Sequence, residues 1–144
     1  MLVVLCGISN HDNMGGIFRN AAAFGVDGVL LDSTCCDPLY RKAIRVSVGA
    51  TLTTPYARLE SGADLLSLLE RYGFEALAFS PSGTGRLHDL TRPERAAVIL
   101  GTEGPGLSAE LMARAQTVSI PMNSNLDSLN VAVTCGIALH HLRG

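Results

Sequence analysis

A chain of 144 residues has the typical length of one domain, and at that size roughly 70% of the unfolded surface can be buried around one core. A hydrophobic share of 47%, with 5% aromatics and no Trp, suggests an interior of Val, Leu, Ile and Ala rather than an aromatic-stacking RNA platform. The formal net charge of -2 supplies no whole-molecule attraction to nucleic acid, so any basic contact surface must be local.

The N-terminus, MLVVLCGISN, lacks a basic leader region, and its apolar run is far shorter than the roughly 20 residues that span a bilayer. Cys6, Cys35, Cys36 and Cys135 include no C-x-x-C pair, and the adjacent Cys35-Cys36 cannot readily bridge each other. Reduced thiols, a cytoplasmic location and no membrane contact are the expectation. Leu2 to Cys6 is a continuous apolar run of the kind buried on both faces of a parallel sheet. After the loop Gly7 to Asp12, Asn13 is positioned to cap a helix over Met14 to Phe24, with Gly25 as its stop. Ile17, Ala21 and Phe24 form its buried stripe. Arg19 lies off that stripe near Gly15, Gly16 and Ala23, small residues that let a bulky partner approach, so it is expected to point into a cleft.

Gly28 to Leu31 reads as the second strand, and Asp37-Pro38 as the start of a helix through Val46. Arg41, Lys42 and Arg45 share one face of it. They form the densest basic cluster in the chain, suited to an RNA phosphate backbone, although charge alone is explained slightly better by a solvated helix face. A short strand at Pro55 to Ala57 precedes a helix from a capping box at Ser61 to Tyr72, ended by Gly73. Glu75 to Phe79 is the next strand. The following Ser80 to Gly85 loop has no Lys in P-loop position, which disfavours a Walker-type nucleotide site.

The most informative stretch runs from Ala96 to Val131. A strand at Ala97 to Leu100 breaks into Gly101-Thr102-Glu103-Gly104-Pro105-Gly106, and a short helix covers Ser108 to Arg114. A second strand, Thr117 to Ile120, stops at Pro121, and Ser128-Leu129-Asn130 enters a final helix to His141. Two strand ends and one helix start converge, which is where α/β proteins bind ligands. The expected fold is a single α/β domain with a largely parallel sheet.

Three segments together resemble the SpoU (TrmH-like) 2'-O-ribose RNA methyltransferases of the SPOUT class. They are Asn13-Met14-Gly15 through Arg19 to Ala23-Phe24-Gly25, Leu100 to Ser108, and Ile120-Pro121-Met122 with Ser128-Leu129-Asn130-Val131. The resemblance implies a C-terminal deep trefoil knot, S-adenosylmethionine (AdoMet) as cofactor, an rRNA or tRNA substrate, and a homodimer formed through the knot region. It also implies that residues 1-144 form a catalytic domain without a preceding RNA-binding domain. Carried over by position, Phe79, Gly101, Ile120, Ser128 and Leu129 line the AdoMet site. Arg19 is the central catalytic residue, with Asn13, Glu103, Ser128 and Asn130 fixing its geometry. Singly, Gly101 and Gly104 read as turn glycines, Ser128 as a helix cap and Glu103 as a helix-start carboxylate; jointly, the family pattern favours function. A non-catalytic RNA-binding or dimerisation module of the same fold is the alternative. His11 stands where many relatives have Pro, and Ser124 where Gly is common. The four histidines are scattered and suggest no metal site.

Overall fold

β1 (Leu2–Cys6) lies inside a seven-stranded, wholly parallel sheet of order β3-β2-β1-β6-β4-β7-β5 in the computed structural model, which describes residues 1–143. The other strands, in chain order, are β2 (Gly28–Leu31), β3 (Tyr56–Arg58), β4 (Glu75–Phe79), β5 (Gly85–Arg86), β6 (Ala96–Gly101) and β7 (Gln116–Ser119). Helices cover both faces, so β1 and β6 need apolar residues at every position, as their LVVLC and AAVILG sequences provide. Alternate residues point to opposite layers. Val3, Leu5, Val98 and Leu100 join one cluster with α1 (His11–Ala23) and α6 (Val131–Arg143). Val4, Ala97 and Ile99 join a second with Leu66 and Leu69 of α4 (Leu65–Arg71). Each such Val, Leu or Ile contributes roughly 1.5–3 kcal/mol of transfer free energy.

Several helix boundaries differ from the sequence expectation, because a neighbouring polar side chain caps the helix or closes a turn before it. Asn10, not Asn13, caps α1, its Oδ1 accepting the Asn13 backbone N–H at 3.0 Å. Asp37 accepts the Leu39 N–H at 2.9 Å and closes a turn, so α2 (Arg41–Val46) begins later than Pro38 suggests. Asp64, not Ser61, caps α4 through the Ser67 N–H. The short α3 (Ala50–Thr53), the two-residue β5 and a 3₁₀ turn at Leu87–Asp89 have no counterpart in the sequence pattern. α3 follows Val48, a β-branched residue at φ 55, beside Gly49 at φ 82. α5 (Ala109–Arg114) is capped by Ser108, where the sequence starts it.

Two adjacent glycines set how α1 meets its neighbours. A Cβ on Gly15 would lie 2.7 Å from the Val46 Cβ and 2.8 Å from the Ala43 carbonyl oxygen, so α2 can pack only against a residue with no side chain. One on Gly16 would lie 2.9 Å from the Ala132 Cβ of α6. Asn20 completes that contact by donating to the Ala132 carbonyl at 2.8 Å. α6 divides its apolar residues: Val131, Cys135, Ala138, Leu139 and Leu142 are buried, while Val133 and Ile137 remain 50% and 38% exposed.

Candidate active site

The carboxyl ends of β4, β6 and β7 open into a cleft of about 360 Å³, closed on its fourth side by the segment that leads into α6. Phe79, Gly101, Ile120, Ser128 and Leu129 all line it. The shape of the β6 loop explains why glycine is required at its start. A Cβ on Gly101 would lie 2.8 Å from the Gly106 carbonyl carbon and 2.9 Å from the Leu107 nitrogen, because the loop doubles back over it. The Gly106 N–H donates to the Thr102 carbonyl at 3.1 Å, and Gly104 and Gly106 take φ values of 91 and 66, which suit glycine. Gly101 is therefore a close-approach residue as well as a turn residue. The walls combine apolar Leu100, Val118 and Val131 with Thr102, Glu103 and Asp127. Leu100, Thr102, Glu103 and Val131 lie in the motifs read from the sequence, whereas Asp127 and Thr134 carry no motif signal and reach the cleft only through the tertiary path.

Asn130 ties the rim together. Its Oδ1 accepts the N–H groups of Ala132 at 2.9 Å and Val133 at 3.2 Å, which makes it, and not Ser128, the cap of α6. Its Nδ2 donates to Asn13 Oδ1 at 2.9 Å and to Glu103 Oε1 at 3.2 Å. An amide offers two acceptor lone pairs and two donor hydrogens, and here all four are used. Segments remote in sequence, α1, the β6 loop and the start of α6, are thereby held in one arrangement. Freed from capping, Ser128 lines the cleft.

Arg19 is exposed and does not line the cleft, contrary to the expectation from its small neighbours. It sits one helical turn beyond Gly15 and Gly16, the positions packed against α2 and α6, and so on the outward side of α1 between those helices. The small residues admit neighbouring helices. Arg41, Lys42 and Arg45 are exposed on α2, but Lys42 Nζ is 3.0 Å from Asp12 Oδ2, which removes one charge from the expected open cluster.

A second cavity of about 390 Å³ lies at the ends of β1 and β2 and shares Thr102, Gly106 and Leu107 with the first. Cys6 lines it. Burial first, then the nearby Asp32 and Cys35, pushes the Cys6 thiol up to about 12, and burial takes Cys135 to about 12 as well. All four cysteines are free thiols. Among the described residues, no group of three or more His, Cys, Asp or Glu side chains is placed to hold a metal ion, and no helix is long and apolar enough to cross a membrane.

Comparison with known proteins agrees with this architecture. A model of the SpoU rRNA Methylase family matches residues 1–140. An uncharacterised tRNA/rRNA methyltransferase of Mycobacterium tuberculosis is 42% identical over 144 residues, covering 96% of this chain and 50% of the relative. The 23S rRNA (guanosine-2'-O-)-methyltransferase RlmB of Neisseria meningitidis is 32% identical, covering 99% of this chain and 58% of the relative. The crystal structure of an AdoMet-bound rRNA methyltransferase from Sinorhizobium meliloti superposes with a TM-score of 0.92 at 28% identity, over 99% of this chain and 55% of that one. The chain thus spans about half the length of the curated relatives it matches. With a matching family model over nearly its whole length and motif residues gathered at one cleft, the chain belongs to the SpoU rRNA methylase family.

Proposed function

We propose that this chain is the catalytic domain of an RNA methyltransferase that uses AdoMet to methylate the 2'-hydroxyl of a ribose in rRNA or tRNA. The observation that carries the reading is the convergence of Phe79, Gly101, Ile120, Ser128 and Leu129, drawn from distant parts of the chain, on one cleft. The cleft also fits the cofactor chemically. Its volume of about 360 Å³ falls within the roughly 300–1,000 Å³ of small-molecule sites. Apolar Leu100, Ile120 and Leu129 suit the cofactor's carbon framework, and the carboxylates of Glu103 and Asp127 suit a cationic sulfonium. The likeness to an AdoMet-bound methyltransferase supports the same cofactor.

Bound there, AdoMet would supply an electrophilic methyl group on sulfur. The chain's own task is to hold the ribose in line and to relieve the charge that grows on its oxygen. Alignment alone contributes roughly 7–11 kcal/mol in well-oriented systems. The Asn13–Asn130–Glu103 network fixes the rim against which the ribose is held. A guanidinium is a donor with no acceptor site and so a poor base; the role of Arg19 is to position the ribose and stabilise the developing oxyanion, while the proton leaves to phosphate or water. Because Arg19 stands on the outward side of α1, the RNA must wrap that helix or a second protomer must approach it.

The proposal includes a homodimer, with Val133 and Ile137 of α6 as its apolar contact, and a knotted path for the segment between β7 and α6. It also includes residues 1-144 as the catalytic unit, and a cytoplasmic setting in which the thiols stay reduced. Calorimetric titration of AdoMet into the purified chain, followed by methyl transfer to pooled rRNA and tRNA, tests it. Saturable binding and transfer that Arg19→Ala abolishes while AdoMet still binds is the expected result. A folded protein that binds no AdoMet would leave the RNA-binding-module reading in its place. A pH–rate profile with a basic group lost in Arg19→Lys would assign proton removal to the arginine.

A further inference from the structure

Beside the candidate site, the start of α1 carries an aromatic surface that the methyl-transfer reading leaves unused. Tyr40 is 55% exposed and stacks on His11, with ring centroids 4.3 Å apart and planes inclined by 36°. His11 is the second residue of the stretch Asn10 to Asn13, and Asn13 belongs to the rim network. Tyr40 stands at the N-terminal boundary of α2 and makes no side-chain capping bond there. Neither ring is thus explained by capping.

The charges around the pair are those a polyanion requires. Arg41 and Arg45 are exposed on the helix that Tyr40 precedes, and Arg19 is exposed on α1. The carboxylates nearby are already engaged, Asp12 with Lys42 at 3.0 Å and Asp37 with the Leu39 N–H at 2.9 Å. On the opposite side of the same first turn of α1, about one helix width of 10 Å away, Asn13 meets Asn130. A strand whose target ribose lies at that rim would bring an adjoining nucleotide over Tyr40.

Resting on the RNA-methyltransferase reading, we propose that the His11–Tyr40 pair is a stacking platform for one unpaired base of the RNA beside the methylated ribose, with Arg41 and Arg45 holding the flanking phosphates. Stacking accepts any base because every base has a π face, whereas phosphate contacts carry the salt dependence. This departs from the expectation that composition gives, because a 5% aromatic share describes the whole chain and says nothing of where two rings meet.

The test compares fluorescein-labelled single-stranded RNA of mixed sequence with an abasic strand of the same length, both titrated with the full chain. Wild type is expected to prefer the base-bearing strand by roughly tenfold, Tyr40→Phe to keep that preference and Tyr40→Ala to abolish it with an unchanged melting temperature. The slope of log affinity against log salt should be unaltered in Tyr40→Ala. In Arg41→Ala or Arg45→Ala it should become shallower by about 0.7 for each phosphate that the variant no longer neutralises. Equal binding of both strands by a wild type that still binds AdoMet and methylates pooled RNA overturns the platform alone. Failure of wild type to bind AdoMet or transfer methyl overturns the enzyme reading beneath it. A fall in sedimenting mass on Tyr40→Ala would show that the surface joins copies of the chain, and would also overturn the platform.

Discussion

At the scale of single residues, Asn130 shows how one side chain serves stability and site geometry together. Its oxygen caps α6 and its nitrogen joins Asn13 to Glu103, so the two halves of the amide are separable by substitution. Asn130→Asp keeps the cap but faces a carboxylate toward two acceptors; thermal stability should change little while methyl transfer falls at least tenfold. Asn130→Ala removes both functions, and the missing helix cap adds a cost of about 1 kcal/mol. Full activity in the Asp variant would show that the amide donors are idle. Asp32 makes a different kind of junction. Burial raises its pKa, but the N–H groups of Gly7 and Thr34, the Thr34 hydroxyl and the Cys35 side chain outweigh that and leave it below the usual carboxylate value. A depressed carboxylate stabilises the fold above its unfolded pKa of about 3.9, and that contribution is lost as pH falls through the folded value. Asp32→Asn should therefore flatten the decline in stability measured by denaturant melts below about pH 4, with the remaining slope left to Asp27 and Asp64, which are lowered by the N-terminal ammonium and by Ser67.

Among the elements, the contact between α1 and α2 is governed by absence of a side chain. Gly15→Ala forces a Cβ to within 2.8 Å of the Ala43 carbonyl, backbone that cannot swing away. The expected cost is about 1–3 kcal/mol, read as a lower urea midpoint, and a displaced α2 would carry Arg41 and Arg45 with it. A neutral outcome would mean that α2 is free to shift. The same economy operates on the sheet: β1 and β6 are legible from sequence because both faces are covered and the apolar run is unbroken. β5, with two residues, has no periodicity to read, and only its pairing with β7 defines it. Helix starts are ambiguous in sequence wherever several capping residues lie close together. Asn10 and Asn13, Ser61 and Asp64, or Ser128 and Asn130 are equally good caps by residue type, and which one bonds depends on where the chain enters the helix.

For the molecule as a whole, α6 is the element that serves most partners. One face closes the core, Asn130 at its start organises the rim, and Val133 and Ile137 face outward without cover. If these two residues form the homodimer contact proposed above, Val133→Glu with Ile137→Glu should yield a monomer by sedimentation while the fold, followed by circular dichroism, persists. Burying two carboxylates at an apolar contact is costly enough to dissociate it. A double variant that remains dimeric would move the interface elsewhere.

What the sequence determined by itself is local in origin. The aliphatic runs specify strands, the turn-rich Gly101 to Gly106 loop specifies a strand end, and the three motif segments identify the family and name Gly101, Ile120, Ser128 and Leu129 of the cleft lining. Tertiary structure decided the rest, since it depends on which groups compete for one neighbour. It assigned the α6 cap to Asn130, paired Lys42 with Asp12, and set Arg19 on the outer side of α1 instead of in the cleft. The glycines beside Arg19 signal close approach in sequence, but a sequence does not say what approaches. Here it is α2 and α6, because a helix without side chains at two successive positions buries more area by admitting another helix than by leaving the space open.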